Sequence, residues 1–184
     1  MARAPASPSL RRPSRHDDAL GLARVSDADA PDAPPADAAS AQAIAMRCAA
    51  ALWSADDCAR GLGIVVVEVA PGRAVVEMTL EPAMLNGHGI AHGGMIFTLA
   101  DTAFAFAANS RDERAVAQHA AIAFLRPARL GDRLRAVATE REHAGRTGVF
   151  DVTVTGAEGL VVAEVRGIAR ATGGTVLPGD AAEG

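Results

Sequence analysis

The hydrophobic positions of this chain follow two spacings, and each predicts a different element. From Ala41 the apolar residues Ile44, Met46, Ala49, Ala50, Leu52 and Trp53 recur at helical intervals. Ser54 to Asp57 reads as a turn or the start of a second helix, with Cys58 and Leu62 on its apolar side. Residues 64–69 and 74–80 are apolar, β-branched runs on either side of Pro71-Gly72, so they predict a hairpin. A loop over 81–91 follows, and 92–109 predicts one helix of roughly four to five turns. Four more strand patterns come after it, at 117–124, 133–140, 148–154 and 161–168, with Gly131-Asp132, Gly145-Arg146 and Glu158-Gly159 at the turns. Strands in such a run predict an antiparallel sheet rather than a doubly wound parallel one.

Residues 1–40 carry neither spacing. Pro5, Pro8, Pro13, Pro31, Pro34 and Pro35 lie among Ala, Ser, Asp and Arg, a composition too poor in buriable surface to offset the entropy of ordering. The expectation is a disordered tail over 1–40, one folded domain over 41–172 and a flexible tail over 173–184. Met46, near the start of the patterned region, is a second candidate start for the chain.

Composition narrows the chemistry. The chain has 184 residues, 49% of them hydrophobic, enough for one domain with a core. Its 18 basic residues against 22 acidic ones give a net charge of -4, without the basic excess of a nucleic-acid binder. Aromatics are 3%, with no Tyr and one Trp, which argues against base-stacking platforms. Every basic residue is Arg, which excludes Schiff-base chemistry and phosphate loops that need Lys. The 2 cysteines, Cys48 and Cys58, form no CxxC or zinc spacing, so two reduced thiols and no metal are expected. No apolar run is long enough for a membrane span and no signal-peptide core opens the chain, so a cytoplasmic location and no membrane partner are expected.

The candidate chemistry sits on the long helix. Met95, Ile96, Phe97, Leu99, Ala100, Ala103, Phe104, Phe106 and Ala107 place apolar residues on every side, and such a helix is expected to be wrapped by the fold. A single antiparallel sheet curled around it meets that need, the arrangement called a hotdog, in the α+β class. Asp101 interrupts the apolar surface, and aspartate is seldom placed there without a partner or a task. The structural alternative is an ion pair with an Arg from a neighbouring strand. Thr102 beside it reads best as a hydroxyl bonded back to a helix carbonyl. At the helix start, Gly93 and Gly94 leave the backbone open to close approach. The first helical N–H groups lack intrahelical acceptors and sit at the positive end of the dipole, where an oxyanion is stabilised.

Gly93 and Asp101 are eight positions apart, roughly 12 Å of helical rise. Catalytic groups must converge within about 3 Å of a reacting atom, so one helix cannot bring both to one carbonyl. Two antiparallel copies across a two-fold axis can. An obligate homodimer with two sites at its interface is therefore expected.

Met84-Leu85-Asn86-Gly87-His88, His92-Gly93-Gly94, Leu99-Ala100-Asp101-Thr102-Ala103-Phe104-Ala105 and Asn109-Ser110 together resemble the hotdog-fold acyl-CoA thioesterases of the phenylacetate-pathway PaaI type. Phe124-Leu125-Arg126-Pro127 and Arg146-Thr147-Gly148-Val149-Phe150-Asp151 extend the likeness, which covers roughly residues 43–171. The glycine pair after His92 is a weak signal alone. Its combination with the Asp101 string, in register, is a strong one.

The resemblance implies hydrolysis of acyl-CoA thioesters, with phenylacetyl-CoA or its ring-hydroxylated relatives favoured and no cofactor beyond the substrate's own CoA. It implies Asp101 as nucleophile or general base, the Gly93 amide polarising the thioester oxygen, and His92, Asn86 and Thr102 positioning the reactants. It also implies a homotetramer, a dimer of dimers. Gly94 is a further candidate at the substrate, and Arg126, Arg129 and Arg146 are candidates for the CoA phosphates. Phe106 stands where relatives often have Tyr, and Ser54-Ala55-Asp56 lacks an Asn that some of them carry. The alternatives are a hotdog hydratase, which wants an Asp–His acid/base pair, and a non-catalytic acyl-CoA sensor.

Overall fold

The computed structural model of the chain describes residues 36–178. Its elements are helices α1 (Ala36–Ala55), α2 (Asp57–Gly61) and α3 (Gly93–Ala108), and strands β1 (Val65–Ala70), β2 (Arg73–Thr79), β3 (Ala115–Phe124), β4 (Arg133–Ala144), β5 (Thr147–Thr155) and β6 (Val161–Ala171). Short 3-10 turns lie at Pro82–Met84 and Ala157–Gly159. The six strands form one sheet in the order β1-β2-β4-β5-β6-β3, antiparallel at every pairing. Helix α3 packs against that sheet, touching β2, β4, β5, β3 and β6, and α1 packs on β1. This is the α+β hotdog architecture.

The element order agrees with the pattern, and the ends differ for identifiable reasons. Helix α1 begins at Ala36 rather than Ala41, because its first turn, Ala-Asp-Ala-Ala-Ser, is exposed and offers no large apolar residue to the spacing. Asp37 suits that end, since a carboxylate favours the positive pole of the helix. The rest of the tail expected over 1–40 lies outside the described residues. Strand β4 runs to Ala144 because a register shift between Glu140 and Glu142 breaks the alternation that a sequence pattern needs. Beyond residue 172, the Val176 and Leu177 amides donate to Asp112 Oδ1 at 3.0 and 2.8 Å, tying that segment to the body of the domain.

Alternation along the strands sends one face to the helix. Strand β5 shows it cleanly, with Phe150, Val152 and Val154 buried between half-exposed neighbours. These meet Ala74, Val76 and Met78 of β2, Leu134 and Ala136 of β4, and Leu99, Ala103 and Phe104 of α3 in one core. The Phe104 and Phe150 rings lie 5.2 Å apart at a tilt of 60°, a favourable aromatic geometry. Gly167 makes room for them: a Cβ there would stand 2.9 Å from two atoms of the Phe104 ring. Gly167→Ala is expected to destabilise the fold by about 1–3 kcal/mol, the ordinary range for overpacking, read as a lower denaturant midpoint at unchanged slope.

The C-terminal end of α3 is fixed by polar side chains. Asn109 Nδ2 donates to Ala105 O and Ala115 O at 2.9 and 3.0 Å, while its Oδ1 accepts from Ala115 N–H at 3.0 Å. Ser110 Oγ donates to Ala107 O and accepts from Gly72 N–H. These buried bonds tie the helix to the first residue of β3 and to the β1–β2 turn.

One expectation needs correction. Among the described residues, helix α3 is not wrapped all round. Gly94 and Ala105 are exposed, and Phe97, Thr98, Asp101 and Ala108 are only partly buried. At 100° per residue these positions form a single stripe on the side away from the core. One sheet covers one side of a helix, and among the described residues the other side stays largely uncovered.

Candidate active site

Asp101 stands in the middle of that open stripe, half-buried. Among the described residues it has neither a hydrogen bond nor an ion pair, so the Arg-paired structural reading does not describe it. Other acids of the protein are paired, as Glu77 is with Arg133 and Arg135, and Asp151 with Arg166. Burial, without a compensating cation, raises the Asp101 carboxyl above its ordinary value.

The second group of candidate residues lies at the start of α3. His92 is the N-cap residue, and its Nδ1 accepts the Gly94 N–H at 3.0 Å. That bond places the ring proton on Nε2. It also commits the Gly94 amide and leaves the Gly93 N–H, which has no acceptor among the described residues. The exposed His92 ring therefore acts as a cap here. Thr102 Oγ1 donates to Thr98 O at 2.8 Å, and Thr98 Oγ1 to Gly94 O at 2.9 Å, so both hydroxyls bond back along the helix.

Gly93 opens onto a groove of about 470 Å³ whose walls include Asn86, Ile90, Ile96, Phe124 and Arg126. Asn86 Oδ1 accepts from His88 N–H at 2.9 Å and Ile90 N–H at 3.5 Å, which shapes the loop before the helix. Its carboxamide nitrogen has no acceptor among the described residues. Arg126 borders the groove and donates to Val161 O at 2.8 Å. Arg129 is exposed on the following turn.

Arg146 stands elsewhere. It donates to Ala171 O at 2.9 and 2.6 Å and lines a separate cleft of about 270 Å³ beside Ala108, at the far end of α3. Arg111 and Glu140 pair in that cleft, and His143 Nε2 lies 3.7 Å from Glu113. Within one protomer the fold thus brings Asn86, Gly93 and Arg126 together, and it leaves Asp101 and Arg146 apart from them. Sequence reasoning assigned no role to Phe124, whose ring lies against Gly93. The available signal was an aromatic residue ending a strand in a chain with only 5 Phe.

The chain is similar to known proteins. Residues 88–163 match the Thioesterase superfamily. The chain is 45% identical over 126 residues to the acyl-coenzyme A thioesterase PaaI of Escherichia coli K12, covering 68% of this chain and 90% of that protein. The solved structure of E. coli PaaI, described as a protein of the phenylacetic acid degradation operon, superposes with a TM-score of 0.72 at 44% identity, covering 73% of this chain and 97% of that one. A variant of the phenylacetic acid degradation protein PaaI from Thermus thermophilus superposes with a TM-score of 0.61 at 39% identity, over 63% of this chain and 99% of that one. With its six-stranded sheet, its central helix and this similarity, the chain belongs to the thioesterase superfamily, among the PaaI-type hotdog acyl-CoA thioesterases, and is a thioester hydrolase.

Proposed function

We propose that the protein hydrolyses phenylacetyl-CoA, its ring-hydroxylated relatives or similar aryl and medium-chain acyl-CoA thioesters, in sites shared between two protomers. The observation that carries this is Asp101, a carboxylate that among the described residues has no partner, on the uncovered stripe of a helix whose first amide has no acceptor there either. Both groups belong to one helix, roughly 12 Å apart along its axis. A two-fold axis that packs the open stripe against its own copy, antiparallel, sets Asp101 of one protomer toward Gly93 of its partner. Strand β3 supports that assembly. It lies at the sheet edge, is 10 residues long and exposes Val116 and Phe124, features of an edge that invites a second chain.

The chemistry follows from the groups. The thioester carbonyl accepts the Gly93 N–H, at the positive end of the α3 dipole. Asp101 takes a proton from water as the water oxygen bonds to the carbonyl carbon, and the oxyanion that forms is held by the same amide. When the carbonyl re-forms, the C–S bond breaks and the CoA sulfur leaves with the proton Asp101 had taken. The products are the free acid and CoA. Direct attack by the carboxylate gives an acyl-aspartyl anhydride, which water then cleaves to the same products. A thiolate leaves readily, so neither route requires a metal or organic cofactor.

Asn86 and His92 position the reactants. Arg126 of one protomer and Arg146 of the other are the cations offered to CoA phosphates. A dimer of such dimers, located in the cytoplasm, completes the proposal. Among the described residues no helix is long and apolar enough to cross a membrane.

The test is a substrate panel read as free thiol released from phenylacetyl-, benzoyl- and straight-chain CoA thioesters across pH. Arylacetyl turnover is expected to lead. Because Asp101 acts ionised and burial raises its pKa, the acid limb of kcat/KM is expected above the ordinary aspartate value of 3.8. No thiol release from any of these thioesters would overturn the proposal.

A further inference from the structure

The chain contains 5 Phe, 1 Trp and no Tyr. Phe104, Phe106 and Phe150 are buried and Phe97 is partly so, but Phe124 is 52% exposed. Its place is set by register. Ile122 pairs with Val165 and Phe124 with Ala163, both partners being buried on the helix side of β6, so the Phe124 ring projects toward α3. There it meets Gly93. A Cβ built on Gly93 would lie 2.9, 3.3 and 3.4 Å from three atoms of the ring, so only glycine admits the ring so near the free amide.

The adjoining groove offers little polarity. Ile90, Ile96, Leu125 and Pro127 share its walls with Phe124, and Arg126, the one cation lining it among the described residues, bonds Val161 O through Nη1 and keeps its other donors for a CoA phosphate. The pantetheine arm of CoA, with its two amides, finds a single side-chain carboxamide there, Asn86. An acyl group finds an aromatic face beside the amide that holds its carbonyl. With a phenyl ring one methylene from that carbonyl, the two rings come within the roughly 4.5–7 Å separation at which aromatic pairs attract.

We infer that Phe124 is the specificity-determining residue for the acyl group: its ring packs against an arylacetyl ring and favours it over an aliphatic chain of similar length. The inference rests on the thioesterase reading and adds to it the location and chemistry of the acyl subsite.

The experiment compares kcat/KM for phenylacetyl-CoA and hexanoyl-CoA in the full chain and in Phe124→Ala, Phe124→Leu and Phe124→Tyr. The wild type is expected to prefer the arylacetyl thioester. The ratio is expected to fall about tenfold in Phe124→Ala, equivalent to about 1.4 kcal/mol of discrimination. It falls less in Phe124→Leu and holds in Phe124→Tyr. Phe124→Leu retains bulk, so the comparison stands even where the alanine variant folds poorly. An equal fall for both substrates assigns Phe124 to the CoA arm or to assembly and overturns the inference. So does an unchanged ratio, or a wild type that hydrolyses both thioesters without preference. A wild type that hydrolyses neither has a different meaning, because it removes the thioesterase reading itself.

Discussion

Replacing Asp101 with alanine is expected to lower kcat/KM for phenylacetyl-CoA by on the order of a thousandfold, within the range that positioned acid–base groups supply. Asp101→Asn should lose nearly as much, because an amide keeps the shape but can neither accept the water's proton nor attack as a carboxylate. The two variants separate chemistry from folding. Burial without a partner raises the carboxyl's pKa in the folded chain, so the folded state holds the proton more tightly than the unfolded chain does. The acid form therefore favours folding at low pH, and that advantage is lost as pH rises through the folded-state value. At neutral pH the ionised Asp101 is a net strain on the fold, and Asp101→Asn is expected to melt higher than the wild type. Below the ordinary aspartate value the two should melt alike. An Asp101→Ala protein hydrolysing at near wild-type rates would place the chemistry elsewhere.

The second large effect is restoration of activity by mixing two inactive chains. Gly93→Val sets a branched side chain where even one Cβ would stand 2.9 Å from the Phe124 ring, closing the approach to the amide. Alone, it is expected to lose activity by a hundredfold or more, the order seen when one oxyanion donor is lost. Asp101→Ala alone is inactive for the reason above. If each site takes Asp101 from one protomer and Gly93 from the other, a mixed dimer contains one site with both lesions and one with neither. Equal amounts of the two chains, unfolded and refolded together, give half mixed dimers. The expected activity is roughly a quarter of the wild type. Activity no higher than the sum of the separate variants would show that both groups serve one protomer's site, contrary to the roughly 12 Å of helix between them.

Much of this was legible in the residues because it depends on local periodicity. The alternation in β5 and the helical run over α3 report directly which side chains can share a face. Asp101 stood out as a charge in an otherwise apolar helix, and Gly93 as a residue without Cβ at a helix start. Other features depended on neighbours distant in sequence. The division of labour between the Gly93 and Gly94 amides is decided by the His92 ring turning back onto Gly94. The separation of Arg126 from Arg146 follows from which end of α3 each adjoining strand reaches. Phe124 gained its significance from the β3–β6 register, which aims it at Gly93 across a gap of 31 positions.

Sequence alone determined the element order, the class of fold and the acid and amide that belong to one helix, since each of these is a property of spacing along the chain. Tertiary structure alone decided that, among the described residues, the helix keeps one uncovered side, Asp101 has no guanidinium beside it, and an aromatic ring borders an amide without an acceptor. The reason is geometric. A period of 3.6 or 2 fixes which residues look the same way, but what they look at is set by packing among segments far apart in the chain.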